Sequence, residues 1–430
     1  MENKSASAGN YRWTICALLF FATTINYIDR QVIGLLKPTL EQDFHWSESD
    51  YAKIVMAFSA AYALGLLVFG RIVDRIGTKV GYIISVSLWS VAAVLHSVVS
   101  STMGFMGVRA FLGLSEGGNF PVAIKTTAEW FPKKERAFAT GIFNSGANIG
   151  AMAAPVLVPW ILGAYGWRQA FVWTGALGFI WLVFWIIYYE IPSRQKRLSN
   201  TEYAFIHSDE EGPDQNSTGS VSIMTLLKIR QTWAFIFGKF LTDPIWWFFL
   251  FWLPSYFSEA YAIDLKKPNL QLFVVYMATT VGSVGGGYLS SYLIQKGWQV
   301  FHARKVSLLI FALCVIPVMT AQFANNVWIA VGLISLAAAA HQAWSATIFT
   351  TASDMFPKNV LSSVVGIGGM AGSIGGILFP FLVGSLLDYY KAAGAITTGY
   401  NILFVISGSS YFVAWLVMHY FAPRMERIKL

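Results

Sequence analysis

Among the ionisable side chains inside long apolar stretches of this sequence, four stand out, namely Asp29, Arg30, Arg109 and Glu116. A charge in an apolar setting is costly, of order 3 kcal/mol on membrane-insertion scales, so each of these residues needs a partner or a task. Arginine presents a fork of donors that matches a carboxylate and keeps its charge. A buried carboxyl group can gain and lose a proton as its surroundings change. These residue types together favour binding of an organic anion linked to proton uptake.

The spacing of these residues allows them to share one cavity if the apolar stretches are membrane-spanning helices. Asp29 and Arg30 lie about seven residues from the outer end of one stretch and Arg109 about five from that of another, so at about 1.5 Å per residue their depths agree. Arg109 and Glu116 fall on one helix face, about two turns apart. We predict Arg30 and Arg109 as substrate-binding residues, and Asp29 and Glu116 as proton-coupling residues. The alternative is a buried charge pair that only stiffens the helix bundle.

A ligand with sugar hydroxyls also needs amide, hydroxyl and aromatic groups around these charges. Candidates inside other apolar stretches are Tyr62, Asn144, Asn148, Trp247, Gln342 and Ser345. For each of them, hydrogen bonding between helices is an equally good interpretation. Asp243 before Pro244 indicates a break in its helix, where the carboxylate lines a cavity or only pairs with Lys239. His341 is interpreted as a hydrogen-bonded structural residue rather than a proton relay.

Composition requires a membrane setting for these stretches. Hydrophobic residues make up 56% of the 430 residues and charged residues only 12%, and the mean hydropathy is +0.54, whereas a soluble domain carries about 25% charge. The formal charge of +8 is spread over short clusters, which argues against a nucleic-acid partner. The sequence contains no nucleotide-binding loop and no metal-ligand motif, so we expect a protein without cofactor or metal and not an enzyme.

Hydropathy, interrupted at charged, proline and glycine clusters, predicts about twelve spans in two halves. In the first half they cover Trp13 to Leu36, Tyr51 to Val73, Val80 to Val99, Gly104 to Thr127, Phe138 to Gly163 and Gln169 to Glu190. In the second half they cover Trp233 to Phe257, Leu270 to Ile294, Val306 to Ala321, Val327 to Thr351, Val364 to Leu387 and Tyr400 to Phe421. The predicted domains are 1–190, a cytoplasmic linker 191–231, and 232–430. In this arrangement of spans the clusters of Lys and Arg all fall on one side of the membrane. Because basic residues concentrate in cytoplasmic loops, both termini are predicted to be cytoplasmic.

An internal repeat supports the two halves. Phe131, Pro132 and Lys133 recur 225 residues later as Phe356, Pro357 and Lys358, and five more identities follow on the same register. Parallel repeats of this kind place a transported substrate near the midplane, at the interface of the halves.

One loop motif is specific in combination with this duplication. Between the second and third predicted spans the chain carries Gly70, Asp74, Arg75, Gly77 and Lys79. Glycines permit a tight turn and close helix approach, while the charges can form a cytoplasmic network that holds one conformation. The duplication and this motif together resemble the major facilitator superfamily. The resemblance implies two pseudo-symmetric six-helix bundles, all α-helical, that move a small molecule by alternating access.

Further phrases narrow the resemblance to the anion:cation symporter branch and, within it, to the hexuronate transporters. They are Gly77-Thr78-Lys79, Glu129-Trp130-Phe131-Pro132, Ile149-Gly150-Ala151-Met152, Ala340-His341-Gln342-Ala343 and Ser353-Asp354. The resemblance implies a monomer in the bacterial inner membrane that imports glucuronate or galacturonate with protons, carried by acids at positions 29 and 116. Some hexuronate carriers lack an acid where Asp29 stands, which keeps aldonates and other organic anions open as substrates. An anion antiporter or exporter is a further alternative.

Overall fold

The computed structural model describes residues 9–46, 48–208, 221–262 and 270–428, and regular structure in these ranges is helical, without a strand. The first helices are α1 (Tyr11–Phe44), α2 (Glu48–Ile76), α3 (Thr78–Leu95), α4 (Thr102–Glu116), α5 (Asn119–Trp130), α6 (Lys133–Tyr165) and α7 (Trp167–Tyr188). Two short helices follow, α8 (Asn200–Ile206) and α9 (Ile223–Leu227). The others are α10 (Arg230–Phe240), α11 (Asp243–Tyr261), α12 (Leu270–Gln295), α13 (Val300–Val315), α14 (Val327–Met355), α15 (Leu361–Ala392) and α16 (Ile396–Phe421).

The predicted all-helical membrane class is confirmed. In the described part of the chain, nine helical segments are long and apolar enough to cross a membrane. They contain α2, α3, α6, α7 and α12 to α16. The other three predicted spans fall on α1, on the α4–α5 pair and on the α10–α11 pair, so the count of twelve stays a prediction.

Two predicted spans are divided by a break. The fourth span, expected to run unbroken from Gly104 to Thr127, stops at Glu116 and resumes at Asn119. A side chain at Gly117 would collide with the backbone of Gly65 on α2, so the glycine at this break lets α2 approach closely. The seventh span breaks at Leu241 and Thr242, as the Asp243–Pro244 pair indicates, because proline suits a helix start and not its interior.

The chain divides into two compact units. Unit 1 consists of Met1–Val221, Phe356–Gly366 and Ile428–Leu430, and unit 2 of Ser222–Met355 and Ile367–Arg427. Residues 361–366 of α15 therefore belong with unit 1 and the rest of that helix with unit 2. The predicted domain limits, 1–190 and 232–430 around a linker, stay a prediction, and residues 209–220 of that linker lie outside the described residues.

Close helix approach at glycines positions the interior of unit 1. A side chain at Gly113 on α4 would meet the backbone carbonyl of Phe58 on α2, and one at Gly146 on α6 would meet that of Phe20 on α1. Between lipid-embedded helices, small residues of this kind give the packing contacts that a hydrophobic effect cannot supply. The pairs α2–α4 and α1–α6 are thereby held close together.

Helix α8, in the first described part of the linker, is held against the rest of unit 1. Glu202 on α8 is buried, and its carboxylate accepts the backbone N–H groups of Tyr11 at 3.1 Å and Arg12 at 3.0 Å. The Arg12 side chain bonds to Glu202 at 3.1 Å and to Glu135 at 2.7 Å. Since the first N–H groups of a helix have no partner within it, Glu202 acts as a cap for α1.

Candidate functional site

Arg30 on α1 and Glu116 at the end of α4 form a buried ion pair. The Nε and Nη2 groups of Arg30 donate to Glu116 Oε2 at 3.1 and 3.0 Å, and the Glu116 side chain is fully buried. Nη2 also lies 3.3 Å from the Asn26 amide oxygen, one turn earlier on α1. Removing one partner of a buried pair leaves an uncompensated charge, at a penalty of about 3–5 kcal/mol. Any event that neutralises Glu116 therefore changes what Arg30 binds.

Arg109 lies beside this pair and has hydrogen-bond donors without a partner in the described chain. Its Nη2 donates to the backbone oxygen of Arg30 at 2.6 Å, but its Nε and Nη1 have no partner among the described residues. The residue is only 4% exposed, so these donors are removed from bulk water. Buried N–H groups of a cation need acceptors, and an anionic ligand supplies them.

Aromatic rings cover both guanidinium groups. The Arg30 Cζ atom lies 4.5 Å from the centre of the Tyr62 ring and 5.2 Å from that of Phe58, while Arg109 Cζ lies 4.7 Å from the Phe58 ring. Cation–π contacts are worth more when the cation is desolvated, up to about 2 kcal/mol. Tyr62 was predicted at this site. Phe58 and Asn26 were missed, although the i,i+4 spacing of Phe58 with Tyr62 and of Asn26 with Arg30 is a usable signal.

Asp29 is buried near the other three charges. It is 2% exposed, and within the described residues neither of its carboxylate oxygens has a hydrogen-bond partner. Thr174 on α7 lies near it, but its hydroxyl donates to the backbone oxygen of Phe171, at 3.5 Å. Glu116 and Arg109 are within electrostatic range. A buried carboxyl group without donors can be neutralised by a proton.

The other predicted sugar-binding residues divide between the two units. Asn144 and Asn148 are buried on α6 in unit 1, and Gly150 of the same helix packs against Tyr27, the ring of which lies 4.7 Å from Arg30 Cζ. Gln342 and Ser345 are buried on α14 and Trp247 lies on α11, all in unit 2. Of these candidates, Tyr62 is in direct contact with Arg30. Trp247, Gln342 and Ser345 belong to unit 2.

The loop motif makes a polar network in unit 1. Asp74 pairs with Lys125 at 2.9 Å and accepts the backbone N–H groups of Ser362 at 3.1 Å and Ser363 at 2.6 Å. These two N–H groups belong to the first turn of α15, where the helix dipole favours a negative charge. Gly70 packs directly against the Ser362 carbonyl. Lys125, Ser362 and Ser363 were not predicted as members of this network.

The remaining motif residues shape the turn between α2 and α3. Gly77 adopts a positive φ of 82° at the start of α3, a conformation that suits glycine. Arg75 is exposed in the last turn of α2. Lys79 pairs with Glu190 at 2.7 Å, beyond the end of α7, and this hydrogen bond lowers the pKa of Glu190.

Sequence comparison decides the family of this helical bundle. The model of the Major Facilitator Superfamily matches residues 19–380. The chain belongs to the major facilitator superfamily. The hexuronate transporter of Escherichia coli (strain K12) is 34% identical over 399 residues, which cover 92% of this chain and 90% of that protein. The galacturonate transporter of Dickeya chrysanthemi is 33% identical over 330 residues, covering 76% of this chain and 95% of that one.

A solved structure supports the same fold. The proton:xylose symporter XylE of this superfamily has a TM-score of 0.72 at 17% identity, covering 97% of each chain. The chain is thus a multi-pass membrane transporter of small molecules and not an enzyme.

Proposed function

We propose that this transporter imports a hexuronate, glucuronate or galacturonate, together with protons by alternating access. The observation that carries the proposal is a buried arginine with unfilled donors, Arg109, next to a buried ion pair and a buried carboxyl group. The hexuronate and galacturonate transporters among its relatives support a sugar acid as the substrate. We place the transporter, as a monomer, in the bacterial inner membrane with both termini in the cytoplasm.

Arg109 is the anchor for the substrate in this proposal. Its Nε and Nη1 groups have no partner in the described chain, and each of them can donate to an oxygen of a substrate carboxylate. Neutral sugars have no group that balances a buried cation, so the same donors disfavour glucose. Tyr62, Asn144 and Asn148 are proposed to hold hydroxyl groups of the sugar ring.

Proton coupling follows from the Arg30–Glu116 pair. When Glu116 takes up a proton, Arg30 loses its anionic partner and becomes a second cationic donor for the substrate. When the proton leaves on the cytoplasmic side, the pair forms again and competes with the substrate carboxylate, which favours release. Asp29 serves as a second proton acceptor.

The charge balance of the site predicts an electrical signature. Two arginines and two ionised carboxyl groups sum to zero, and protonation of both carboxyl groups raises the sum to +2. One bound hexuronate anion then leaves a net charge of +1 on the loaded site. A membrane potential that is negative inside should therefore accelerate uptake.

The test is uptake of labelled glucuronate into proteoliposomes under an inward proton gradient. Unlabelled galacturonate, galactonate and glucose serve as competitors. The proposal expects uptake that collapses with a protonophore and is blocked by galacturonate but not by the other two. Inhibition by galactonate with no glucuronate uptake, in folded protein, would move the substrate to aldonates.

A further inference from the structure

Unit 2 contains a partly buried ion pair that the proposed mechanism does not use. Lys239, in the last turn of α10, lies 2.8 Å from Asp243 Oδ2 across the break before α11. The Lys239 side chain is 6% exposed and the Asp243 side chain 20%. Ion pairs at i,i+4 on a helix surface are weak, about 0.3–0.5 kcal/mol, but ionisable residues within spans are expensive and usually functional.

Two neighbouring residues, Phe349 and Gly372, allow Asp243 to become neutral without loss of the local structure. The Lys239 ammonium lies 4.3 Å from the centre of the Phe349 ring on α14, a cation–π contact that supports the cation even when the carboxyl group is neutral. Gly372 on α15 leaves the space that the Asp243 carboxyl group occupies, because a side chain there would collide with Oδ2. The carboxyl group is thus both partly accessible and free of a packed side chain on that face.

The break itself is held by uncharged hydrogen bonds. The Tyr411 hydroxyl on α16 donates to the backbone oxygen of Thr242 at 3.3 Å and is also hydrogen-bonded to His341 Nδ1 on α14. The His341 ring stacks on Trp246 at 5.1 Å. Among the described residues, His341 lies within electrostatic range of Lys239, and Tyr411 within that of Asp243. Because these contacts fix the break, the geometry does not depend on the ion pair alone.

We propose that Asp243 is an additional proton-binding site of the transport cycle, gated by its pairing with Lys239. The inference rests on the proposed proton coupling and extends it to unit 2. Unit 1 offers an internal parallel, since Glu116 also stands at a helix break and also pairs with a cation that aromatic rings cover. Each unit then carries one proton-gated ion pair.

Arg304 and Asp354, a second charge pair in unit 2, provide the matched control. They lie 2.9 Å apart with both side chains fully buried, and Arg304 also donates to Ser290 at 2.6 Å. Arg304 is thus held by Ser290 as well as by Asp354, so this pair is anchored by an uncharged contact in addition to the charges. We expect Asp354→Asn to leave proton binding by Asp243 unchanged.

Infrared difference spectroscopy tests proton binding without transport. Purified, substrate-free wild type, Asp243→Asn and Asp354→Asn are compared between neutral and acidic pH, and the carbonyl stretch of protonated carboxyl groups is recorded. The wild type should gain a band that Asp243→Asn lacks and Asp354→Asn retains. The double variant Lys239→Met/Asp243→Asn leaves no unpaired charge, so it replaces Asp243→Asn if that protein does not fold. A spectrum of either Asp243 variant identical to that of the wild type would overturn the proposal.

Flux measurements then test the link to transport. The proton-to-glucuronate ratio, measured from the membrane potential that stops net flux, should fall by one in Asp243→Asn while glucuronate counterflow continues. An unchanged ratio would overturn the role in coupling. If the wild type shows no proton-driven glucuronate uptake at all, the proposed function fails, and the infrared comparison still decides whether Asp243 binds a proton.

Discussion

In the proposed mechanism, the unfilled donors of Arg109 select for an anionic substrate. Arg109→Lys keeps the charge but replaces the planar guanidinium group by a point charge, so the directed Nε and Nη1 donors are lost. Hydrogen bonds to charged groups are worth about 1.5–3 kcal/mol, which corresponds to roughly 10- to 100-fold weaker binding. Glucuronate counterflow in proteoliposomes should show this as a raised half-saturation concentration.

Arg168→Lys is the control for this substitution, because Arg168 is an exposed arginine of α7 in the same unit. It should behave as the wild type. An Arg109→Lys variant that also keeps wild-type affinity would show that the guanidinium fork does not bind the substrate.

Single residues were partly visible in the sequence. Asp29, Arg30 and Glu116 stand out because an ionisable group in an apolar stretch is rare. Which charge pairs with which was not predictable, since helix spacing gives depth along one helix and not the distance to another. Phe58 escaped notice for a different reason: the chain has 33 phenylalanines, and its contact with both arginines appears only after α2 and α4 are packed.

At the scale of helices, the approach of α4 to α2 sets where Arg109 and Glu116 lie. Gly113→Ala should push these helices apart, because its Cβ would meet the carbonyl of Phe58. We expect a lower unfolding temperature and slower glucuronate counterflow. Thermal unfolding in detergent and counterflow in proteoliposomes measure the two effects.

The same helix supplies the control. Gly107 on α4 has no atom of the described chain within 4 Å of an added Cβ, so Gly107→Ala should keep activity and stabilise slightly through better helix propensity. Equal effects of the two substitutions would mean that close approach at Gly113 is not what positions the site.

The cap of α1 by the linker helix α8 gives a second prediction at this scale. The Glu202 carboxylate accepts the backbone N–H groups of Tyr11 and Arg12 and forms an ion pair with the Arg12 side chain. Glu202→Gln removes the negative charge of this group. Losing a helix cap costs typically about 1 kcal/mol, so the unfolding temperature should fall. Cleavage of the linker by added protease should also become faster, since α8 is held less firmly.

Glu259→Gln, at an exposed glutamate of α11, should change neither the unfolding temperature nor the cleavage rate. Cleavage of Glu202→Gln at the wild-type rate would argue that the contacts of Glu202 do not hold the linker.

Helices were predicted better than their breaks. Long apolar runs identify spans because a bilayer demands them, and most of the predicted limits fall inside the observed helices. In the sequence, Gly117 and Gly118 do not differ from other small residues of a membrane helix. The break at these residues is recognised only from the packing of Gly117 against Gly65. The break at Thr242 was readable because a proline follows Asp243 directly.

At the scale of the whole transporter, Asp74 holds the first turn of α15 in the observed conformation. Asp74→Asn removes the charge that pairs with Lys125 and favours the helix N-terminus, an interaction worth about 0.3–1 kcal/mol when exposed and up to about 2 kcal/mol when partly buried. A cysteine at position 363, introduced as Ser363→Cys after replacement of the native cysteines, should then react faster with a water-soluble thiol reagent.

Asp50→Asn controls for the loss of an acidic residue, because Asp50 also lies on α2 and forms a partly exposed pair with Lys53 at 3.4 Å. If the cysteine is labelled at the same rate with and without Asp74→Asn, the network does not stabilise the observed conformation.

The superfamily and its helical class were predictable for the whole chain, because composition and duplication are global signals. The grouping of residues 356–366 with unit 1 was not, since Asp74 and Ser363 are nearly three hundred positions apart and share no sequence pattern. In the proposed mechanism, substrate binding and proton coupling depend on a few atoms of Arg109, Glu116 and Asp29, and the contacts of these atoms arise only when the helices pack.

The most direct test of the account compares two activities of Glu116→Gln in the same proteoliposomes. Glutamine cannot exchange a proton and no longer holds Arg30 by charge, so substrate should bind without a proton. We predict that glucuronate counterflow persists while uphill accumulation under a proton gradient is lost. Unchanged accumulation would contradict the claim that this carboxyl group couples proton entry to sugar acid import.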